Sequence, residues 1–331
     1  EGLCNTALGH IAMYDNSTGD TNTAVGSSAL ENNTTASSNT AVGHNSLCVN
    51  TTGAENTAVG IATLRANTTG TRNVAVGYLA LTSNTEAAGN IAIGESALEN
   101  NSTGASNTAV GRKSLINNTT ASNNTAVGFC TLTQQTTNGT HNTAVGANAL
   151  RLNTTGTHNV AVGFAALDGN TEAVGNVAIG HAALNANTTG AGNTAVGRQS
   201  MDANTTGASN TAVGNNSLGA NTTGCENIAV GLEAMKFGTT GDFNTAVGVL
   251  TLGGSDVSTG NNNTAIGRKS MFDNTSGTNN TAVGNDSLGN NTTGASNVAV
   301  GNAAMFDNTS GNNNVGVGCD DLGNNTTASN N

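Results

Sequence analysis

A chain of 331 residues with 9% charged and 2% aromatic side chains, and with neither proline nor tryptophan, has too few large residues to fill a thick core. Its charge density is also too low for a self-repelling disordered chain. The net charge of −11 disfavours nucleic acid and anionic membranes as partners, and no apolar run approaches the roughly 18 residues of a membrane-spanning helix.

One motif organises the whole sequence. Asn-[Thr/Val/Ile]-Ala-[Val/Ile/Leu]-Gly begins at Asn5, Asn22, Asn39, Asn56, Asn73, Asn90, Asn107 and Asn124, then at Asn142, Asn159, Asn176, Asn193, Asn210, Asn227 and Asn244, and finally at Asn263, Asn280, Asn297 and Asn314. These 19 copies step by 17 residues, except for 18 from Asn124 to Asn142 and 19 from Asn244 to Asn263. Asn331 stands where a twentieth copy would begin. Residues 1–331 therefore read as a single continuous array, a segment of a longer one, with no separate domains.

Numbering each repeat from its leading Asn as position 0, the elements follow in order. Positions 1 to 3 alternate in β-favouring residues and predict a short strand. Position 4 is Gly in all 19 copies, which points to a backbone angle other residues avoid. Positions 6 to 8 predict a second short strand, closed by a Leu or Met at position 8 in every copy, such as Leu30, Leu150 and Met201. Position 11 is Asn in 16 copies, usually within Asn-Thr-Thr-Gly, a turn or a third very short strand. Seventeen residues are too few for a helix pair, and Asn, Thr and Gly are poor helix formers. The expected fold is an all-β solenoid, a parallel β-roll or β-helix of about 19 coils. At one strand spacing per coil, that is a rod of roughly 90 Å.

The expected core places positions 1 and 3 inward, against position 8. Position 2, almost always Ala, then faces away, and a column of Ala144, Ala161, Ala178, Ala195 and Ala212 is expected to pack closely against another layer or another chain. In the two irregular repeats, around Gln134 to Thr140 and Gly253 to Gly260, the extra residues belong in a loop. Val145 and Ile266 should stay inward, in line with Val127 and Val247.

"NVAVG", "NIAIG" and "NVAIG" at Asn73, Asn90 and Asn176 resemble the head repeats of trimeric autotransporter adhesins, the YadA-like head. The longer form NTAVGxxALxxNTTG is similar to repeats of phage tail fibres and bacterial surface proteins. The resemblance covers the whole chain. It implies a left-handed parallel β-roll, three chains packed together, and exposure on a cell or virion surface for adhesion.

Candidate chemistry is sparse. The cysteines Cys4, Cys48, Cys130, Cys225 and Cys319 occupy different repeat positions several coils apart and predict neither an intrachain disulfide nor a zinc site. His141 and His158 share a column in adjacent repeats; a stacked pair of this kind is a weak metal site or a pH-responsive one. Acids such as Asp273, Asp307, Glu86 and Glu172 form no close pair with a base or nucleophile. No catalytic, cofactor or metal residues are expected, and no enzyme activity.

The densest chemical pattern is Asn-x-Ser/Thr at position 11, complete at Asn16, Asn33, Asn50, Asn67, Asn101, Asn118, Asn153, Asn187, Asn204, Asn221, Asn274, Asn291, Asn308 and Asn325. In a secreted eukaryotic protein these are N-glycan acceptors, and the Thr pairs O-glycan acceptors. The alternative is that Asn and Thr stack into hydrogen-bonded ladders between coils. The sequence thus reads as the structural rod of an extracellular fibre or surface filament, self-associating as a filament or homotrimer, with covalent glycans as a further expectation. The rival readings are the adhesive or receptor-binding head of a surface adhesin or tail fibre, and an ice-binding solenoid. The ice reading requires Thr-x-Thr across a flat outward strand, which the repeat lacks.

Overall fold

The computed structural model describes residues 2–254 and 258–331. It is an all-β solenoid with a repeat of about 17 residues, built from nineteen three-residue strands, β1 (Thr6–Leu8) to β19 (Val315–Val317). The chain divides into two compact units, Glu1–Val162 and Gly163–Asn331. The first holds β1 to β10 (Val160–Val162) and the second β11 (Val177–Ile179) to β19. Within each unit successive strands pair in parallel, and every repeat position lies beside its equivalent: Thr40 with Thr57, Ala41 with Ala58 and Val42 with Val59 in the first unit, and Thr194 with Thr211 in the second.

The strand faces are opposite to the expected ones. Position 2 points into the coil and positions 1 and 3 point out. Ala58 has no exposed surface, whereas Val59 is 37% exposed; the expected inward residues Val145 and Ile266 are 37% and 41% exposed. They do keep register with Val127 and Val247, as the loop argument required. The five alanines of the expected stripe are fully buried, but by the interior of their own coil rather than by a second layer or chain.

The interior is thin. In each regular coil it contains Ala from position 2, Ala, Ser or Thr from position 7, and Leu or Met from position 8, as with Ala41, Ser46 and Leu47. The inward assignment of position 8 holds, and Leu30 through Leu184 have no exposed surface. Where position 7 carries a hydroxyl, it is spent on the backbone: Ser46 Oγ donates to the Ala58 carbonyl at 3.0 Å and Ser200 Oγ to the Ala212 carbonyl at 3.1 Å. Such small side chains leave no room for Val on the strand wall. β-branched residues serve there as outward strand formers.

Positions 6 to 8 are a turn, not a second strand. Positions 6 and 8 adopt left-handed backbone, with φ of 57° at Asn45 and 49° at Leu47. The flips alternate the direction of the amides. Asn45 N–H donates back to Ser27 at 3.0 Å, and Leu47 N–H forward to Thr63 at 3.0 Å. The wall is therefore hydrogen-bonded coil to coil well beyond the strands. Position 4 is glycine for a steric reason as well as a torsional one. Gly77 has φ of 132°, and a Cβ there would lie 2.6 Å from the Gly94 carbonyl oxygen.

The polar half of the interior consists of two asparagine ladders. At position 0, Asn56 N–H donates to Asn39 Oδ1 at 2.9 Å, and Asn56 Nδ2 donates to the Gly70 carbonyl at 2.8 Å. At position 11, Asn67 Nδ2 donates to Asn50 Oδ1 at 2.8 Å and to the Gly70 carbonyl at 3.0 Å. Each buried amide thus spends its hydrogens inside the fold, which removes the desolvation penalty of an unpaired group.

Candidate functional site

The outward columns are where this fold can meet anything else, and they are of three kinds. The first is the strand face. Positions 1 and 3 of the 19 repeats carry only Thr, Val, Ile and one Leu, with no charge among them. They are half-buried to exposed, with Ile91, Ile93, Ile179, Ile228 and Ile266 between 38% and 43% exposed. All nine Lys and Arg lie at positions 5, 6, 9 and 16. The uncharged face is therefore a property of the strand and not of a charge-poor chain alone.

The second kind is the turn at positions 11 to 14. Twelve of the fourteen sequon asparagines, from Asn33 to Asn308, are buried; Asn16 and Asn325, near the chain ends, are half-buried. In Asn33, Nδ2 donates to Asn16 Oδ1 at 2.8 Å and to the Ala36 carbonyl at 3.0 Å. A glycan replaces one of those hydrogens and needs the space of the adjacent coil. The folded ladder therefore does not accommodate N-glycans at Asn33, Asn50, Asn67, Asn101, Asn118, Asn153, Asn187, Asn204, Asn221, Asn274, Asn291 or Asn308. The ladder alternative describes these residues correctly. The first Thr of each pair joins it, as Thr51 Oγ1 donates to the Thr68 carbonyl at 3.1 Å. The second Thr, as at Thr35, Thr52 and Thr69, is exposed.

The third kind comprises the charged edges. Opposite charges one coil apart pair across the stack, Arg72 with Glu55 at 3.3 Å and Arg112 with Glu95 at 3.2 Å. Both pairs are largely solvated and contribute little stability. His141 and His158 stack with ring centroids 5.0 Å apart and planes 4° from parallel, which directs ring faces rather than nitrogen lone pairs at each other. His181 stacks on Phe164 at 5.4 Å, and His44 Nε2 meets Asn45 Nδ2 at 3.1 Å. The five cysteines are free thiols. Burial, then the Glu31 carboxylate that accepts its thiol at 3.6 Å, pushes the Cys48 thiol up from its ordinary value. Among the described residues, no three His, Cys, Asp or Glu side chains come together as a metal site.

Two clefts lie on one such edge, at positions 6, 9 and 10. The one in the second unit, about 380 Å³, is lined by Gln199, Asp202, Asn216, Gly219, Lys236 and Phe237 among others. The one in the first unit, about 330 Å³, is lined by Asn45, Cys48, Val49, Arg65 and Ala66. Burial raises the Asp202 carboxyl above the usual carboxylate range, against backbone hydrogen bonds that lower it. Sequence reasoning missed both clefts. Their signal lay in position 9, where a small residue separates an acid from a base.

Compared with known proteins, the chain matches no family model and no curated sequence.

Proposed function

We propose that this chain is a structural repeat protein of an extracellular fibre or surface filament, and that copies associate through the uncharged strand face. The observation that carries the reading is that face. A solvated sheet surface ordinarily collects Lys and Glu, which also keep edges and faces from sticking. Here 38 consecutive outward strand positions carry none, and exposed apolar surface of that extent marks an interaction site. The likeness of "NVAVG" and "NIAIG" to YadA-like heads points the same way, toward packed chains on a cell or virion surface. Adhesion through the variable charged edges is compatible with such a fibre.

Sedimentation and negative-stain electron microscopy test the proposal. Assembly should occur with the native face and be lost on Val196→Lys with Val213→Lys, while each chain stays folded by circular dichroism. A native chain that remains monomeric at high concentration, or a doubly substituted one that assembles unchanged, contradicts it.

The inverted strand also favours a second reading. With positions 1 and 3 outward, the flat sheet presents Thr-x-Val in regular columns, so the ice-binding alternative regains part of its premise. Inhibition of ice recrystallisation by the native chain, lost on the same two Lys substitutions, would favour ice over a second chain as the occupant.

A further inference from the structure

Column charges in this fold behave in two ways. Those one coil apart bridge directly, as Arg72 does to Glu55. At position 9, two acid–base pairs are instead two coils apart: Glu31 and Arg65 across Cys48, and Asp202 and Lys236 across Gly219. The backbone stacks in register through both places. Asn32 N–H donates to Cys48 at 3.0 Å and Val49 N–H to Arg65 at 3.3 Å; Ala203 N–H donates to Gly219 at 3.2 Å and Ala220 N–H to Lys236 at 2.9 Å. Two strand spacings put acid and base about 9.6 Å apart at the backbone, too far for a direct bridge. The intervening small residue opens a gap one coil high. Both described clefts lie there, of about 380 and 330 Å³.

We infer that these two clefts are equivalent binding sites for a small α-zwitterion, such as a free amino acid. Its ammonium would donate to the acid of one coil, and its carboxylate would accept from the base two coils on. The dimensions agree. An ammonium and a carboxylate on one carbon, with a hydrogen bond at each end, span about 8 Å. The cleft volumes lie at the small end of ligand sites.

The walls suit the same chemistry. In the second unit, Lys236 is held in place by Glu233 at 3.1 Å and lies over the Phe237 ring at 5.1 Å. Ordering the cation in advance lowers the entropic cost of binding. Ala203, Ala220 and Gly219 give the ligand's carbon an apolar floor, and the Gln199 and Asn216 amides stand at the rim. Burial that raises the Asp202 carboxyl also strengthens its attraction for a cation that reaches it. In the first unit the floor is Val49 and Ala66, and the rim amide is Asn45.

The test is isothermal titration of the purified chain with glycine, with methylammonium chloride and sodium acetate as single-charge probes. Glycine should bind saturably at two sites per chain, at least tenfold more tightly than either probe. Gly219→Ile fills the second-unit cleft with a side chain that position 9 already carries at Ile116, and should reduce two sites to one. Lys236→Met should do the same, and adding Arg65→Met should remove the second site. Melting of each variant checks its fold, and Gly219→Ile keeps the test open if a charge variant fails to fold. Absence of saturable glycine binding overturns the inference, as does equal binding of the two probes or a Gly219→Ile chain that still binds two.

Discussion

The coils from Asn22 to Asn107 and the coil that starts at Asn124 have the same strand and the same buried Leu, yet differ in their polar interior. In the regular run the position 11 ladder is unbroken: Asn33, Asn50, Asn67, Asn84, Asn101 and Asn118 each donate to the one before, at 2.7 to 3.2 Å. In the irregular coil Gln135 takes the place of Asn, and the extra residue enlarges the turn after it. The Asn124 amide then reaches the Gly139 carbonyl, fifteen positions on instead of fourteen. Gln135 Oε1 accepts from Asn153 Nδ2 at 3.2 Å, but Gln135 Nε2 and Asn118 Oδ1 are buried with no partner among the described residues. The apolar half of a coil tolerates an insertion because the strand keeps register. The ladder does not, because an amide has one length. The longer insertion at Gly253 to Gly260 includes residues 255–257, which lie outside the described ones; on its near side Gly238 replaces the ladder Asn and leaves Asn221 Oδ1 unpartnered among the described residues.

Four substitutions sharpen this contrast, in decreasing order of expected effect. Leu150→Asp buries a charge in the apolar half, which has no spare polar partner. It should cost roughly 3 kcal/mol or more, seen as loss of the thermal transition by circular dichroism. Asn50→Leu in the regular run strips Asn33 Oδ1 of its donor and Asn67 Nδ2 of one acceptor. Each stranded group costs about 1–3 kcal/mol, and denaturant melts should report the drop. Gln135→Asn combined with deletion of Asn138 rebuilds Asn-Thr-Thr-Gly and should raise stability by about 1–3 kcal/mol, since two orphaned groups regain partners. A melt at or below that of the native chain would mean that the break is not a defect. Val127→Lys, on the strand face of the same coil, should change the melt by only about 0.5 kcal/mol.

Much of the fold was legible. Nineteen invariant glycines and an invariant Leu or Met at position 8 identify the coil and its core. The strand alternation at Thr57, Ala58 and Val59 defines two faces but not which is inside. That choice depends on interior volume, and in so narrow a coil Ala wins over Val. The turn at positions 6 to 8 was misread because Asn45 and Leu47 take left-handed backbone without being Gly. Asn-Thr-Thr read as a glycan acceptor in sequence; only burial distinguishes it from a ladder. The clefts were hidden because Asp202, Gly219 and Lys236 are 17 residues apart in turn, and their relation appears only when coils are stacked.

The central claim is the inversion of the strand, with small residues inside and β-branched ones outside. Ala195→Arg and Val196→Arg, adjacent in one strand of the second unit, test it most directly when their thermal melts are compared at low protein concentration. Ala195 has no exposed surface and Val196 is half-buried at the face. The account predicts that Ala195→Arg abolishes or sharply lowers the transition, through overpacking and a buried charge, while Val196→Arg melts within a few degrees of the native chain. The reverse order, with Ala195→Arg melting like the native chain and Val196→Arg unfolded, would contradict it.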